Sequence, residues 1–148
     1  MKAALAAVLL ALLTGCASDA RMPGEHRLAI QPARTASAEG WLGMTDRHSG
    51  AYLWVSPQAF LTEADVAQAE LAMTPEQQPA IVLTLTAAGR ATLAELTRRG
   101  INQPLAVLVD GELRLAPIIR EPVLDGRVAL TGFDSLDEAE ALVRDWSR

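Results

Sequence analysis

Residues 104–142, PLAVLVDGELRLAPIIREPVLDGRVALTGFDSLDEAEAL, carry the densest fold information in the chain. Leu105-Ala106-Val107-Leu108-Val109 is a nearly all-apolar strand. Asp110-Gly111 is a strong two-residue hairpin signal, because such turns need residues that accept positive φ. Glu112-Leu113-Arg114-Leu115 then returns with clean alternation. A second turn, Asp125-Gly126, precedes the strand Arg127–Thr131. Ser135-Leu136-Asp137-Glu138 is a capping box, and it opens a helix to about Trp146 with Leu136, Ala139, Val143 and Trp146 at core spacing.

The upstream sequence continues the alternation of strands and helices. Thr86 caps a helix from Ala87 to Arg99, with Leu93, Leu96 and the small Ala88 and Gly89 on its buried side. Glu95 is placed to pair with Arg99, and the helix stops at Gly100. Ala80–Leu85 reads as a strand. Ala67, Ala69, Leu71 and Met73 alternate with Gln68 and Glu70, which puts the apolar set on one face of another strand. The loop Thr74–Pro79 joins the two as a hairpin. Thr62-Glu63-Ala64-Asp65 suits a short capped helical turn, and Ala51–Val55 is an aromatic and β-branched strand between Gly50 and Pro57. Leu28-Ala29-Ile30 is a first short strand, followed by a polar stretch to Gly40. The order predicts an α+β domain, an antiparallel sheet with two main helices packed on one face.

The N-terminus reads as an address. Lys2 precedes an unbroken apolar run from Ala3 to Leu13, too short for the roughly 20 residues a spanning helix needs. Thr14-Gly15-Cys16 follows, and Cys16 is the only cysteine. The arrangement resembles the lipobox of a bacterial lipoprotein precursor. It implies a signal peptide over residues 1–15, lipidation at Cys16 with diacylglycerol and an acyl chain such as palmitate, and stable anchoring by several chains; the alternative is an ordinary secretory leader cleaved elsewhere, with Cys16 incidental. Residues 16–27 read as a flexible tether and 28–148 as a single domain. Ala17, where an aspartate would favour inner-membrane retention, favours the outer membrane over the inner.

Charge excludes some partners. The chain holds 18 acidic against 13 basic residues, for a net charge of −5, and Lys2 is its one lysine. Such a balance lacks the basic footprint of a nucleic-acid binder. Of the two histidines, His26 falls in the tether and His48 in a polar loop. Asp46, His48 and Ser49, adjacent in that loop, do not face one another as a catalytic triad requires. No residue pattern indicates a metal, a cofactor or a small-molecule substrate.

Several strings together resemble the head of the first periplasmic domain of the SecD and SecDF protein-export subunits. They are Val109-Asp110-Gly111, Leu115-Ala116-Pro117, Ile119-Arg120-Glu121-Pro122-Val123, Gly126, Leu130-Thr131-Gly132 and Glu138-Ala139. Leu61–Val66 and Ala80–Thr97 extend the match, which runs from about Trp54 to Arg144. Asp125 departs from the pattern by replacing one of the family's two glycines. The resemblance implies an envelope protein that binds emerging polypeptide or an envelope protein partner, auxiliary to export and without an enzymatic activity. A second reading is a scaffold lipoprotein holding another assembly, and an enzyme is the third. The proton-coupled motor of the full-length proteins does not carry over, since it resides in transmembrane helices that this sequence does not show.

The candidate working surface is Pro117-Ile118-Ile119-Arg120. Its prolines disfavour a central strand and place it along an edge or rim. Ile118 or Ile119 joins an apolar groove for extended peptide there, or both cap the core beneath the loop. Trp41 likewise reads as an aromatic anchor or as packing against the sheet, and Trp54 as core.

Overall fold

The computed structural model describes residues 26–147. The leader 1–15, Cys16 and the tether up to residue 25 lie outside them. The elements follow in the order β1 (Leu28–Arg34), β2 (Leu42–Thr45), β3 (Tyr52–Val55), β4 (Leu61–Thr62), a 3-10 turn (Glu63–Asp65), β5 (Val66–Met73), β6 (Pro79–Leu85), α1 (Ala87–Arg99), β7 (Leu105–Val109), β8 (Glu112–Leu115), β9 (Arg127–Leu130) and α2 (Leu136–Trp146). All the strand pairings are antiparallel. The α+β architecture is as expected, with the strands divided between two sheets.

The larger sheet runs β2-β3-β1-β7-β8, with β4 also paired to β1. Its ends approach one another, because the Arg47 amide donates to the Leu113 carbonyl at 3.0 Å and bends the sheet toward a closed barrel. This curvature explains the apolar run in β7, where all five residues are buried. Leu105, Val107 and Val109 face the main core, while Ala106 and Leu108 face a second cluster with Ala33, Leu53, Val55 and Leu113. Burial on both faces removes the need for alternation.

The smaller sheet, β5-β6-β9, closes the main core together with the helices. α2 packs over β5 and β6. Ile81, Leu83, Leu93, Leu130, Leu142 and Trp146 are all nearly or wholly buried there. The apolar face expected on β5 is only partly used: Ala69 is buried, while Leu71 and Met73 are exposed. β5 lies at the sheet's margin, and its register shifts between Val66 and Gln68.

Local signals act largely as the residues dictate. Thr86 accepts from the Gly89 amide at 3.1 Å and opens α1. Thr62 and Asp65 satisfy one another's backbone in a reciprocal capping box. Asp110 and Gly111 both take positive φ, 52° and 82°, as the two-residue hairpin requires. In α2, Ser135 caps the Glu138 amide, but the Glu138 carboxylate reaches one residue further back, to the Asp134 amide. Leu136 is exposed rather than core, and Leu142 takes the buried position instead. At the turn where Asp125 stands for a glycine, Gly126 alone takes positive φ, 73°. The Asp125 carboxylate accepts from the Arg127 amide at 3.1 Å.

β1 is longer than its first three residues suggest. Pro32 sits where β1 changes partner, from β4 at Ala29 and Ile30 to β3 at Ala33 and Arg34. The missing donor falls in that gap, and the Pro32 carbonyl is satisfied by the Ser56 amide at 2.9 Å. His26 and Arg27, which the sequence reading assigns to the tether, are fastened to the domain. The His26 amide donates to Asp145, the Trp146 indole donates to the His26 carbonyl, and Asp110 receives both the Arg27 amide and the His26 ring.

Candidate functional site

Beyond Ile30 the main core opens to solvent. The side chains of β1 alternate, so Pro32 and Arg34 continue the face on which Leu28 and Ile30 are buried. There they line an apolar groove of about 240 Å³ with Trp41, Phe60, Leu96, Leu105 and Ile119. An adjoining hollow shares Phe60, Leu96 and Arg99 and continues along α1 past Ala91 and Glu95.

Backbone bonds fix each wall. The Phe60 amide donates to Ile30 at 3.1 Å, and the Ala33 amide donates to Pro104 at 3.0 Å. The Ile119 amide donates to Gln103, and the Asn102 amide donates to the Ile119 carbonyl. Together with the bridge between Pro104 and Ile118, these bonds lay Pro117–Ile119 along the segment that leads into β7. Gly100 has φ −100°, so no left-handed turn explains the glycine. Its role is space: a Cβ there would lie 2.9 Å from Ile119 Cδ1 and 3.0 Å from the Leu96 carbonyl.

The structure therefore separates the residues singled out in the sequence. Trp41 and Ile119 meet in the groove, where Ile119 is 9% exposed and also belongs to the main core. Ile118 is 39% exposed and lies outside the groove, and Pro117 and Arg120 are exposed and do not line it. Trp54 is half-buried and belongs to neither core cluster. It meets the Tyr52 ring edge-on at 5.9 Å on the outer face of β3 and neighbours Arg34 in register. Phe60, Leu96 and Arg34 complete the groove, and only Leu96 carried a sequence signal, as part of the buried side of α1.

The groove's electrostatics are simple. The Arg34 guanidinium lies over the Trp41 ring at 4.8 Å, an arrangement worth about 0.5–1 kcal/mol at an exposed site. Arg99 is held by Glu95 at 2.6 Å, and Arg98 reaches the same carboxylate at 4.0 Å.

A larger, more polar hollow of about 540 Å³ lies between Arg47, His48, Gln78, Phe133 and Asp134. Its one arginine, Arg47, is already bonded to Asp134 at 2.6 Å and to Glu112 at 3.2 Å, and Glu76 is a further acidic residue of its lining. Beside it, Asp46 accepts from the His48 amide at 2.8 Å and from the Ser49 hydroxyl at 2.6 Å. That is a turn built around a carboxylate, in which the hydroxyl proton points to Asp46 and no imidazole intervenes. The apolar groove is therefore the better candidate for binding.

Comparison with known proteins agrees with the fold and the motifs. The model of the family described as "SecDF, P1 head subdomain" matches residues 41–144, extending the resemblance back to Trp41. The protein translocase subunit SecDF of Thermus thermophilus is 34% identical over 82 residues, 55% of this chain and 11% of that protein. The protein translocase subunit SecD of Treponema pallidum is 32% identical over 123 residues, 79% of this chain and 20% of that protein. The chain thus spans between about a tenth and a fifth of these relatives. A solved structure of "a membrane component SecDF that enhances protein export" superposes with a TM-score of 0.67 at 23% identity, covering 84% of this chain and 63% of that one. A mostly antiparallel fold with two helices, the export-subunit motifs from Leu61 to Glu138, and a family match over well over half its length together place this chain in the SecDF P1 head subdomain family.

Proposed function

We propose that this chain is a lipid-anchored envelope protein whose head-like domain binds polypeptide, acting as a non-enzymatic auxiliary of protein export. The observation that carries the reading is the groove at Trp41, Phe60 and Ile119, an apolar opening of the core shaped to receive side chains from an extended segment. The relatives' names supply the context of protein translocation. Cys16, behind its apolar leader, supplies the anchor and faces the domain toward the periplasm, with the outer membrane favoured.

Photo-crosslinking residues placed at Trp41 and Phe60 in intact cells test the binding role, with Ile118 as an exposed control outside the groove. Many unfolded clients captured at the first two positions support it. A single stoichiometric protein captured there would favour the scaffold reading, and capture at Ile118 alone would remove the groove from consideration. A Cys16→Ala variant is expected to leave the membrane fraction, and its retention there would overturn the lipid anchor.

A further inference from the structure

The groove's rim carries a charge that nothing around it balances. Among the described residues, Arg34 has no carboxylate within ion-pair distance, whereas Arg99 and Arg98 share Glu95. The Arg34 guanidinium carbon lies 4.8 Å from the centroid of the Trp41 ring, which keeps the cation at the groove's rim. A guanidinium presents its donors in a rigid fork that a carboxylate can meet bidentately, and contact with the ring leaves the side chain fewer conformations to lose when it does so.

Any chain that settles into the groove covers Trp41 and takes water away from Arg34. Removing water from an unpaired cation is unfavourable, and the loss is offset when the incoming chain brings a carboxylate. The groove itself has room for one bulky side chain, and the adjoining hollow behind Phe60 has room for another. In an extended segment, side chains on one face recur every second residue, roughly 7 Å apart.

On this geometry, and resting on the polypeptide-binding reading above, we infer that the groove selects extended segments in which bulky apolar residues alternate with a neighbouring carboxylate, an aspartate or glutamate at the Arg34 end. Segments with a basic residue at the same place are disfavoured. The domain's net negative charge does not decide this preference, because unpaired charges beyond about 10 Å are screened at ordinary salt and the contact with Arg34 is direct.

Calorimetric titration of the mature protein with three peptides tests it. The peptides share an alternating Leu/Phe sequence and carry Asp, Asn or Lys at the flanking position. The Asp peptide is expected to bind about three- to fivefold more tightly than the Asn peptide, the range of a partly exposed ion pair, with the Lys peptide weakest. The advantage should shrink in 0.5 M salt. In an Arg34→Met variant, checked for folding by its thermal midpoint, the three affinities should converge. Equal affinities for Asp and Lys in the unaltered protein, or a preference that survives Arg34→Met, would overturn the selectivity while leaving the groove intact. Failure of all three peptides to bind would overturn the groove reading itself.

Discussion

Replacing Thr97 with valine should unfasten the 120s loop from α1. Thr97 is fully buried. Its hydroxyl donates to the Leu93 carbonyl at 2.8 Å and accepts from the Val123 amide at 2.9 Å, holding the segment after Ile119 against the helix. Valine keeps the shape but strands the Val123 N–H, which costs about 1–3 kcal/mol. The helix carbonyls lose less, since the helix ladder already engages them. The added methyl returns up to about 0.8 kcal/mol of burial. With the full methyl gain the net loss is therefore about 0.2–2.2 kcal/mol, a fall of up to roughly 9 °C in Tm for a domain of this size. Thr97→Ser retains both hydrogen bonds and should lose only about 0.5–1.5 kcal/mol from the missing methyl. Urea unfolding measures the energies, and amide exchange at Val123 localises them. A valine variant as stable as the parent, with Val123 still protected from exchange, would refute the assignment of the loop's attachment to this hydroxyl.

Other substitutions probe other joints. Glu138 bonds Arg114, whose side chain is only 6% exposed, and also caps the Asp134 amide; Glu138→Gln should cost about 2–3 kcal/mol in urea unfolding. Glu112→Gln, at the exposed end of the same network, should cost under about 1 kcal/mol, and equal losses would contradict the role given to burial. Asp110→Gly keeps the positive φ of the hairpin but removes the acceptor for Arg27 and His26. It should make residues 26–27 susceptible to limited proteolysis while the rest of the domain stays resistant. Gly100→Ala pushes Ile119 Cδ1 from a 2.9 Å approach and crowds the Leu96 carbonyl at 3.0 Å, so it should weaken peptide binding and lower Tm by a few degrees, the backbone contact being the less yielding of the two. An unchanged affinity would separate Ile119 from the site.

Features with a local cause were legible in the sequence. α1 begins and ends as its cap and glycine indicate, the Asp110-Gly111 hairpin forms, and Thr62 and Asp65 close their turn. What the sequence obscured depends on partners far along the chain. Only Leu28–Ile30 stands out as a strand, yet β1 runs on through Pro32 because the change from β4 to β3 leaves room for a residue without a donor. β2 is four residues of marginal strand with little burial, and its pairing with β3 defines it. The groove shows the same division. Trp41 and Ile119 stand out as apolar residues in polar or proline-flanked surroundings, whereas Phe60 and Arg34 reach the site through sheet topology and carry no local mark. Leu136 misled because the helical spacing was right and the rotation of α2 on the sheet, set by Leu142 and Trp146, turned it outward.

The clasp of Asp110 and Asp145 on His26 and the groove beside Arg34 lie at opposite ends of one strand, β1, about 20–25 Å apart for its seven residues. A pull on a segment held in the groove, resisted at the N-terminal side, would therefore load β1 lengthwise. Its ladder with β7, paired from Leu28 to Pro32, would meet that load in shear, with its hydrogen bonds strained together rather than peeled one by one. On the proposed binding reading, the β1–β7 ladder would then stand in the path of that load, rather than an edge that peels.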